Sequence, residues 1–219
     1  KGEIVGLAGL VGGGKTELCK TLFGDYKKSS GTITLDGKEL KFKNPSDAVK
    51  AGLSLVPEER RKEGVLVAET VTFNVSAACL GKYCHASFVD DRKTAKVAEE
   101  YVKSLSIKTP SVRQKVANLS GGNLQKFILA RELENTPQVL ICSYPTRGLD
   151  VKAAWSVRQQ IIRAKEQGTG VVLFSGDLEE LFAVSDRIVV LYRGAVIGEV
   201  QPEHAVPQDV ILLMMGGSV

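Results

Sequence analysis

The rhythm of hydrophobic and polar residues changes several times along this chain, and each rhythm predicts an element. The apolar run Ile4-Val5-Gly6-Leu7-Ala8 reads as a buried strand, and residues 17–23 read as a helix. Alternation over residues 31–40, around Asp36-Gly37, predicts a β-hairpin with an Asp-Gly turn. Residues 45–51 read as a short helix, with Pro45 near its start and Gly52 at its end. A buried strand over 53–56 stops at Pro57. The pattern then turns charged and mainly helical. Ala98, Tyr101, Val102 and Leu105 fall at i, i+3, i+4 and i+7, marking one face of a helix that Asp90 or Asp91 caps. Thr109-Pro110-Ser111 breaks it, and another helix runs from near Ser120 to about Glu134.

Strands and helices alternate again from residue 138. Strands are predicted over 139–142, 171–174 and 187–192. Between the first two lies a helix marked by Ala154, Val157, Ile161 and Ala164 and closed by Gly168; residues 178–184 form the next. Arg193-Gly194 turns the chain back into a strand over 196–200, and a last helix falls near 206–215. This alternation predicts an α/β fold whose mainly parallel sheet is covered on both faces. The shifts in pattern divide the chain into a discontinuous core lobe (1–57 and 136–200), a helical subdomain (58–135) and a C-terminal tail (201–219).

Between the first strand and the first helix lies Gly9-Leu10-Val11-Gly12-Gly13-Gly14-Lys15-Thr16. Strand, glycine loop and helix form the context in which G-x-x-x-x-G-K-[ST] is a phosphate-binding P-loop. Gly9, Gly12, Gly13 and Gly14 let the backbone curl so that its N–H groups point inward, and the helix start adds its positive dipole end. Lys15 can reach the β- and γ-phosphates of a nucleotide, and the Thr16 hydroxyl can ligate Mg²⁺. A second anion site has the same logic: Leu119-Ser120-Gly121-Gly122-Asn123 places a serine N-cap and two glycines at a helix start.

Composition narrows the field only slightly. The chain has 219 residues, 43% of them hydrophobic, enough for a real core. No apolar run approaches the roughly 20 residues of a membrane span. A net charge of +4 is too mild to argue for a nucleic-acid partner. Arg60-Arg61-Lys62 is interrupted by Glu58, Glu59 and Glu63 and reads as a solvated surface segment. Cys19, Cys79, Cys84 and Cys142 make no C-x-x-C pair, and the spacing of Cys79, Cys84 and His85 is too irregular for a metal site. Free thiols fit a reducing, cytosolic compartment. The chain begins at Lys1 without Met and with no visible signal peptide, so it reads as excised from something longer.

With the P-loop upstream, Leu119–Asn123 resembles the LSGGQ signature of the ATP-binding cassette family, and the chain looks like one of its P-loop NTPase domains. In that family two cassettes pack head to tail. Each ATP lies between the P-loop of one and the signature of the other, so the resemblance implies that Ser120, Gly121 and Gly122 serve a partner's nucleotide. The stretch from Val139 to Asp150 matches the family strand that ends DEPTRGLD, with two departures. Ser143 stands where the family has the Mg²⁺-holding Asp, and Tyr144 where it has the water-activating Glu. The family's switch histidine falls at Gly176. Its glutamine after the earlier strand falls at Glu58, which the resemblance places at the metal with Thr16. A tyrosine, with pKa near 10, is a poor base for water. The hydrolytic site is therefore expected to be degenerate, with no catalytic residue intact.

GLVGGGKTEL, VPEERRKEG, NLSGGN and PTRGLDV together resemble the second cassette of fused double-cassette ATPases in bacterial importers for simple sugars or nucleosides. The missing acidic pair is more like the nucleoside branch. The implied partners are a second cassette, in the N-terminal half of the same polypeptide, and membrane permease subunits. No nucleic acid and no direct contact with cargo are implied. The implied location is the cytoplasmic face of the inner membrane. The alternatives are a soluble cassette protein acting on DNA or ribosomes, and a regulatory nucleotide sensor.

Overall fold

The computed structural model describes residues 1–85 and 88–218. In chain order the elements are β1 (Ile4–Gly9), α1 (Lys15–Leu22), β2 (Ile33–Leu35), β3 (Lys38–Leu40), α2 (Pro45–Lys50), β4 (Leu53–Val56), α3 (Val71–Ala78), α4 (Leu80–Tyr83), β5 (Cys84–His85), β6 (Phe88–Val89) and α5 (Asp91–Ser104). They continue with α6 (Gly121–Glu134), β7 (Val139–Ser143), α7 (Val151–Glu166), β8 (Gly170–Phe174), α8 (Leu178–Val184), β9 (Arg187–Tyr192), β10 (Ala195–Val200) and α9 (Pro207–Met214). Two compact units result. One comprises residues 1–55, 137–144 and 161–219, the other 56–136 and 145–160.

The first unit is built on the sheet β10-β9-β1-β8-β7-β4. β1 lies between β8 and β9, parallel to both; β7 runs parallel to β8, and β10 returns antiparallel to β9. A strand buried on both faces cannot alternate, which is why β1 reads as a continuous apolar run. Gly6 has its own reason: a Cβ there would sit 2.5 Å from Ser185 Oγ and 2.9 Å from Leu181 Cδ2, where α8 packs on β1. Leu7, Cys19, Ala48, Leu53, Ile141, Phe174 and Leu191 form the core. The β2–β3 hairpin turns through Asp36 (φ 49°) and Gly37 (φ 76°), as a two-residue turn with both residues left-handed requires. Asn44 caps α2, its side chain accepting from Asp47 N at 3.2 Å.

The second unit is mainly helical. Asp90 caps α5, accepting from Arg92 N at 3.1 Å and Lys93 N at 3.0 Å. The face of α5 that carries Ala98 and Tyr101 is buried, and the Tyr101 ring meets Phe127 of α6 edge-on, 6.4 Å between centroids. No helix among the described residues is long and apolar enough to cross a membrane.

Candidate functional site

In the first unit, β1 ends at Gly9 and the chain curls through residues 10–14 into α1. Gly12 (φ 78°) and Gly14 (φ 93°) hold conformations that side chains rarely adopt. Gly13 N donates to the Leu10 carbonyl at 3.0 Å. Gly14 is the N-cap of α1 and no side chain caps this helix start, so its N–H groups and positive dipole end suit an anion. Lys15 is only 3% exposed. Its Nζ donates to the Gly9 carbonyl and, at 3.1 Å, to the Leu10 carbonyl, so the amine is folded over the loop. Thr16 is exposed. Gly9 is required by close approach: a Cβ there would lie 2.7 Å from the Leu191 carbonyl oxygen of β9.

One supporting segment reads in the sequence only as a turn between strands, not as part of the site. The Arg193-Gly194 turn between β9 and β10 braces the loop, with Gly194 N donating to the Gly13 carbonyl at 3.3 Å. Beside it lies a pocket of about 390 Å³, bounded by Gly12, Gly13, Tyr192, Arg193 and Met215 among others. The signal was topological: a parallel neighbour of β1 must deliver its C-terminal turn to the same edge as the glycine loop.

The residues at the expected acidic positions are neutral, and one of them, Tyr144, lies near Lys15. Ser143 ends β7, buried. Tyr144 follows with φ 47°, and its N–H donates to the Phe174 carbonyl at 2.8 Å. A left-handed tyrosine costs roughly 1–2 kcal/mol and persists only where surroundings hold it. Its ring centroid is 6.0 Å from Lys15 Nζ, within cation–π range. A Cβ added to Gly176 would lie 3.6 Å from Tyr144 Cε1. Two acidic residues after Gly176 have structural tasks. Asp177 Oδ1 caps α8, accepting from Glu179 N at 3.0 Å, and the buried Glu180 accepts from Ser175 Oγ at 2.7 Å.

In the second unit, Ser120 caps α6 and accepts from Asn123 N at 3.4 Å. Gly121 and Gly122 open the helix. A Cβ on Gly122 would stand 2.8 Å from Ala153 Cβ, so this glycine lets the start of α6 abut α7. Asp150 Oδ1 accepts from Ala153 N at 2.8 Å, fixing the start of α7. Glu58 lies in this unit, and its carboxylate takes a charge-assisted bond from Arg147 Nη1.

The segment Arg60-Arg61-Lys62 lies at the surface, with Arg61 and Lys62 exposed and Arg60 half-buried, and its two arginines also bond to backbone carbonyls. Arg60 Nη2 donates to the Arg147 carbonyl, and Arg61 reaches the carbonyls of Ala117 at 3.0 Å and Leu119 at 3.2 Å. Burial, and then the neighbouring charge of Arg147, hold the Arg60 guanidinium below its ordinary pKa. Charge alternation in the sequence suggested neighbours along the chain; the partners are carbonyls more than fifty positions away.

All four cysteines are free thiols, Cys79 donating to Asn135 Oδ1 at 2.9 Å. No group of three or more His, Cys, Asp or Glu that could hold a metal occurs among the described residues, and the side chain of His85 lies outside them.

The ABC transporter family model matches residues 1–147. The chain is 40% identical over 218 residues to the ribose import ATP-binding protein RbsA of Caldanaerobacter subterraneus subsp. tengcongensis, covering 99% of this chain and 44% of that protein. It is 42% identical over 217 residues to the arabinose import ATP-binding protein AraG of Paraburkholderia xenovorans, covering 98% and 42%. It is 40% identical over 218 residues to the xylose import ATP-binding protein XylG of Moorella thermoacetica, covering 99% and 43%. The chain thus spans less than half the length of these relatives. A dimeric ATP-binding cassette in a post-hydrolysis state, bound to ADP and Pi, superposes with a TM-score of 0.78 at 24% identity, over 92% of this chain and 86% of that one, a likeness of fold.

Proposed function

The chain belongs to the ABC transporter family, and from that premise we propose that it is a nucleotide-binding domain of an importer for simple sugars. Its phosphate cradle binds ATP through Gly9, Gly12, Gly13, Gly14, Lys15 and Thr16. Its Ser120, Gly121 and Gly122 complete the site of a partner cassette, in head-to-tail contact. Its own site hydrolyses slowly. The relatives named above import ribose, arabinose and xylose, which supports a sugar cargo over a nucleoside. Cargo would meet other subunits, with the permease in the membrane and this domain on its cytoplasmic face.

The observation that carries the reading is a cradle with its glycines and lysine in place and the neutral side chain of Tyr144 over the lysine, with Ser143 before it in the chain. The glycine conformations and the uncapped start of α1 fit phosphate oxygens. Thr16 would hold the accompanying Mg²⁺, which offsets phosphate charge when bound. Glu58, which the resemblance pairs with Thr16 as a metal ligand, belongs to the second unit, where its carboxylate is engaged by Arg147. Loss of a positioned base is worth about 10²- to 10⁴-fold in rate, or roughly 3–5 kcal/mol of barrier.

The test is a titration of the purified domain with a fluorescent ATP analogue, alongside steady-state hydrolysis. Binding that Lys15→Ala removes, with little turnover, is expected. Hydrolysis as fast as an ordinary cassette would overturn the degenerate site, and co-purification with ribosomes in place of a permease would overturn the transport reading. Ser120→Arg in the full-length assembly is expected to abolish hydrolysis at the partner's site.

A further inference from the structure

The loop between β4 and α3 carries two arginines that both reach the signature turn. Arg61 grips it from the N-terminal side. Its Nη1 and Nη2 donate to the carbonyls of Ala117 and Leu119, the latter immediately before Ser120. Arg60 approaches from the other side, its Nη1 3.8 Å from the point where a Cβ on Gly121 would lie. The same Arg60 donates through Nη2 to the Arg147 carbonyl, and Arg147 returns to the loop by pairing with Glu58. The loop is seated as well as tethered: a Cβ on Gly64 would stand 2.6 Å from the Arg60 carbonyl oxygen and 2.8 Å from Ile128 Cδ1 of α6. Gly64 therefore allows the loop to close against the signature helix itself.

We propose that Arg61, with Arg60 beside it, is a positioning residue that sets the signature turn at Ser120 and keys it to the segment containing Arg147 and Asp150. Neither arginine touches the reacting atoms. A planar guanidinium holds two carbonyls at a fixed separation, which a lysine ammonium on a flexible stem does not reproduce. The turn it holds precedes the N-cap, so a shift there moves the Ser120 hydroxyl and the first N–H groups of α6 together. A misplacement of about 1 Å in such a group can cost on the order of 100-fold in rate. The inference rests on the reading that Ser120, Gly121 and Gly122 serve a partner's nucleotide.

The experiment uses the full-length polypeptide assembled with its partner cassette and permease. Arg61→Ala and Arg61→Lys are compared with wild type and with Ser120→Arg. Both Arg61 variants are expected to lower kcat roughly 10- to 100-fold while KM for ATP, the thermal midpoint and analogue binding at the Lys15 cradle stay unchanged. Amide exchange over residues 116–123 is expected to quicken in both. Wild-type kcat in Arg61→Ala, or a loss matched by a lower thermal midpoint and weaker binding at Lys15, would overturn the proposal; so would unchanged exchange over 116–123. The two readings fail separately. If Ser120→Arg leaves hydrolysis intact, the signature reading falls and takes this inference with it. If Ser120→Arg abolishes hydrolysis and Arg61→Ala does not, only the positioning role falls.

Discussion

The Tyr144 ring stands 3.6 Å from the point where a Cβ on Gly176 would begin. In the proposed reading these are the positions of the family's water-activating glutamate and switch histidine, and the structure brings them close together. A side chain added at position 176 would therefore begin in ordinary contact with the tyrosine ring.

From this contact comes the first prediction. Gly176→Ala is expected to be tolerated, because 3.6 Å is ordinary van der Waals separation. Gly176→His and Tyr144→Ala are expected to couple, by about 0.5–3 kcal/mol in a double-mutant cycle of unfolding free energies. Strict additivity would show that the two side chains do not meet.

Restoring acid to the site is the second. Ser143→Asp with Tyr144→Glu is expected to raise hydrolysis at this site by about 10²- to 10⁴-fold once a competent partner cassette is present. Single-turnover assays with the partner's own site disabled isolate the gain. No gain would count against assigning these positions the metal and base roles.

A third concerns the start of α6. Gly122→Ala drives a methyl to 2.8 Å from Ala153 Cβ, and neither backbone can yield cheaply. A loss of about 1–3 kcal/mol is expected from such overpacking, read from denaturant midpoints. Ala153→Gly should recover most of it, since it removes the opposing atom. A Gly122→Ala protein as stable as wild type would mean the two helices do not approach this closely.

The fourth concerns pH. Glu134 is partly buried, which by itself would raise its carboxyl pKa, but hydrogen bonds from Lys82, Tyr101 and Tyr83 outweigh burial and hold it below the ordinary value. The phenols donate at 2.9 Å from Tyr101 and 3.0 Å from Tyr83. Burial first, then Glu134, pushes both phenols upward, so they remain donors at neutral pH. A depressed carboxylate stabilises the fold above its unfolded pKa, and that contribution is lost as pH falls through the folded value. Glu134→Gln is therefore expected to destabilise most at pH 7, with its deficit shrinking below about pH 4. Thermal midpoints of both proteins from pH 3 to 8 check the sign; a deficit that grows on acidification would refute it.

Thiol reactivity supplies the fifth. Burial, followed by the charge of Glu132, pushes the Cys79 thiol up to about 11. Native Cys79 is expected to resist iodoacetamide at pH 8 and to react promptly once the chain is unfolded, as mass mapping would show, because only the thiolate attacks.

The legible part of this protein was the part written locally. A glycine loop between an apolar strand and a helix, an Asp-Gly hairpin turn, a serine before two glycines and an aspartate before an amphipathic helix each carry their cause within a few residues. Left-handed backbone, N-cap bonds and the 3.6-residue period are short-range physics, so the strand–glycine loop–helix and the serine-capped α6 could be read directly. Other features depend on atoms far away in sequence. Gly6, Gly9 and Gly122 owe their identities to Ser185, Leu191 and Ala153, and Tyr144 takes its left-handed backbone where its N–H meets Phe174. Arg60 and Arg61 stay at the surface, as their charge pattern suggests, but the carbonyls of Arg147, Ala117 and Leu119 that they meet come from far along the chain. Periodicity records which way a side chain faces, whereas only the packed chain decides what it meets there.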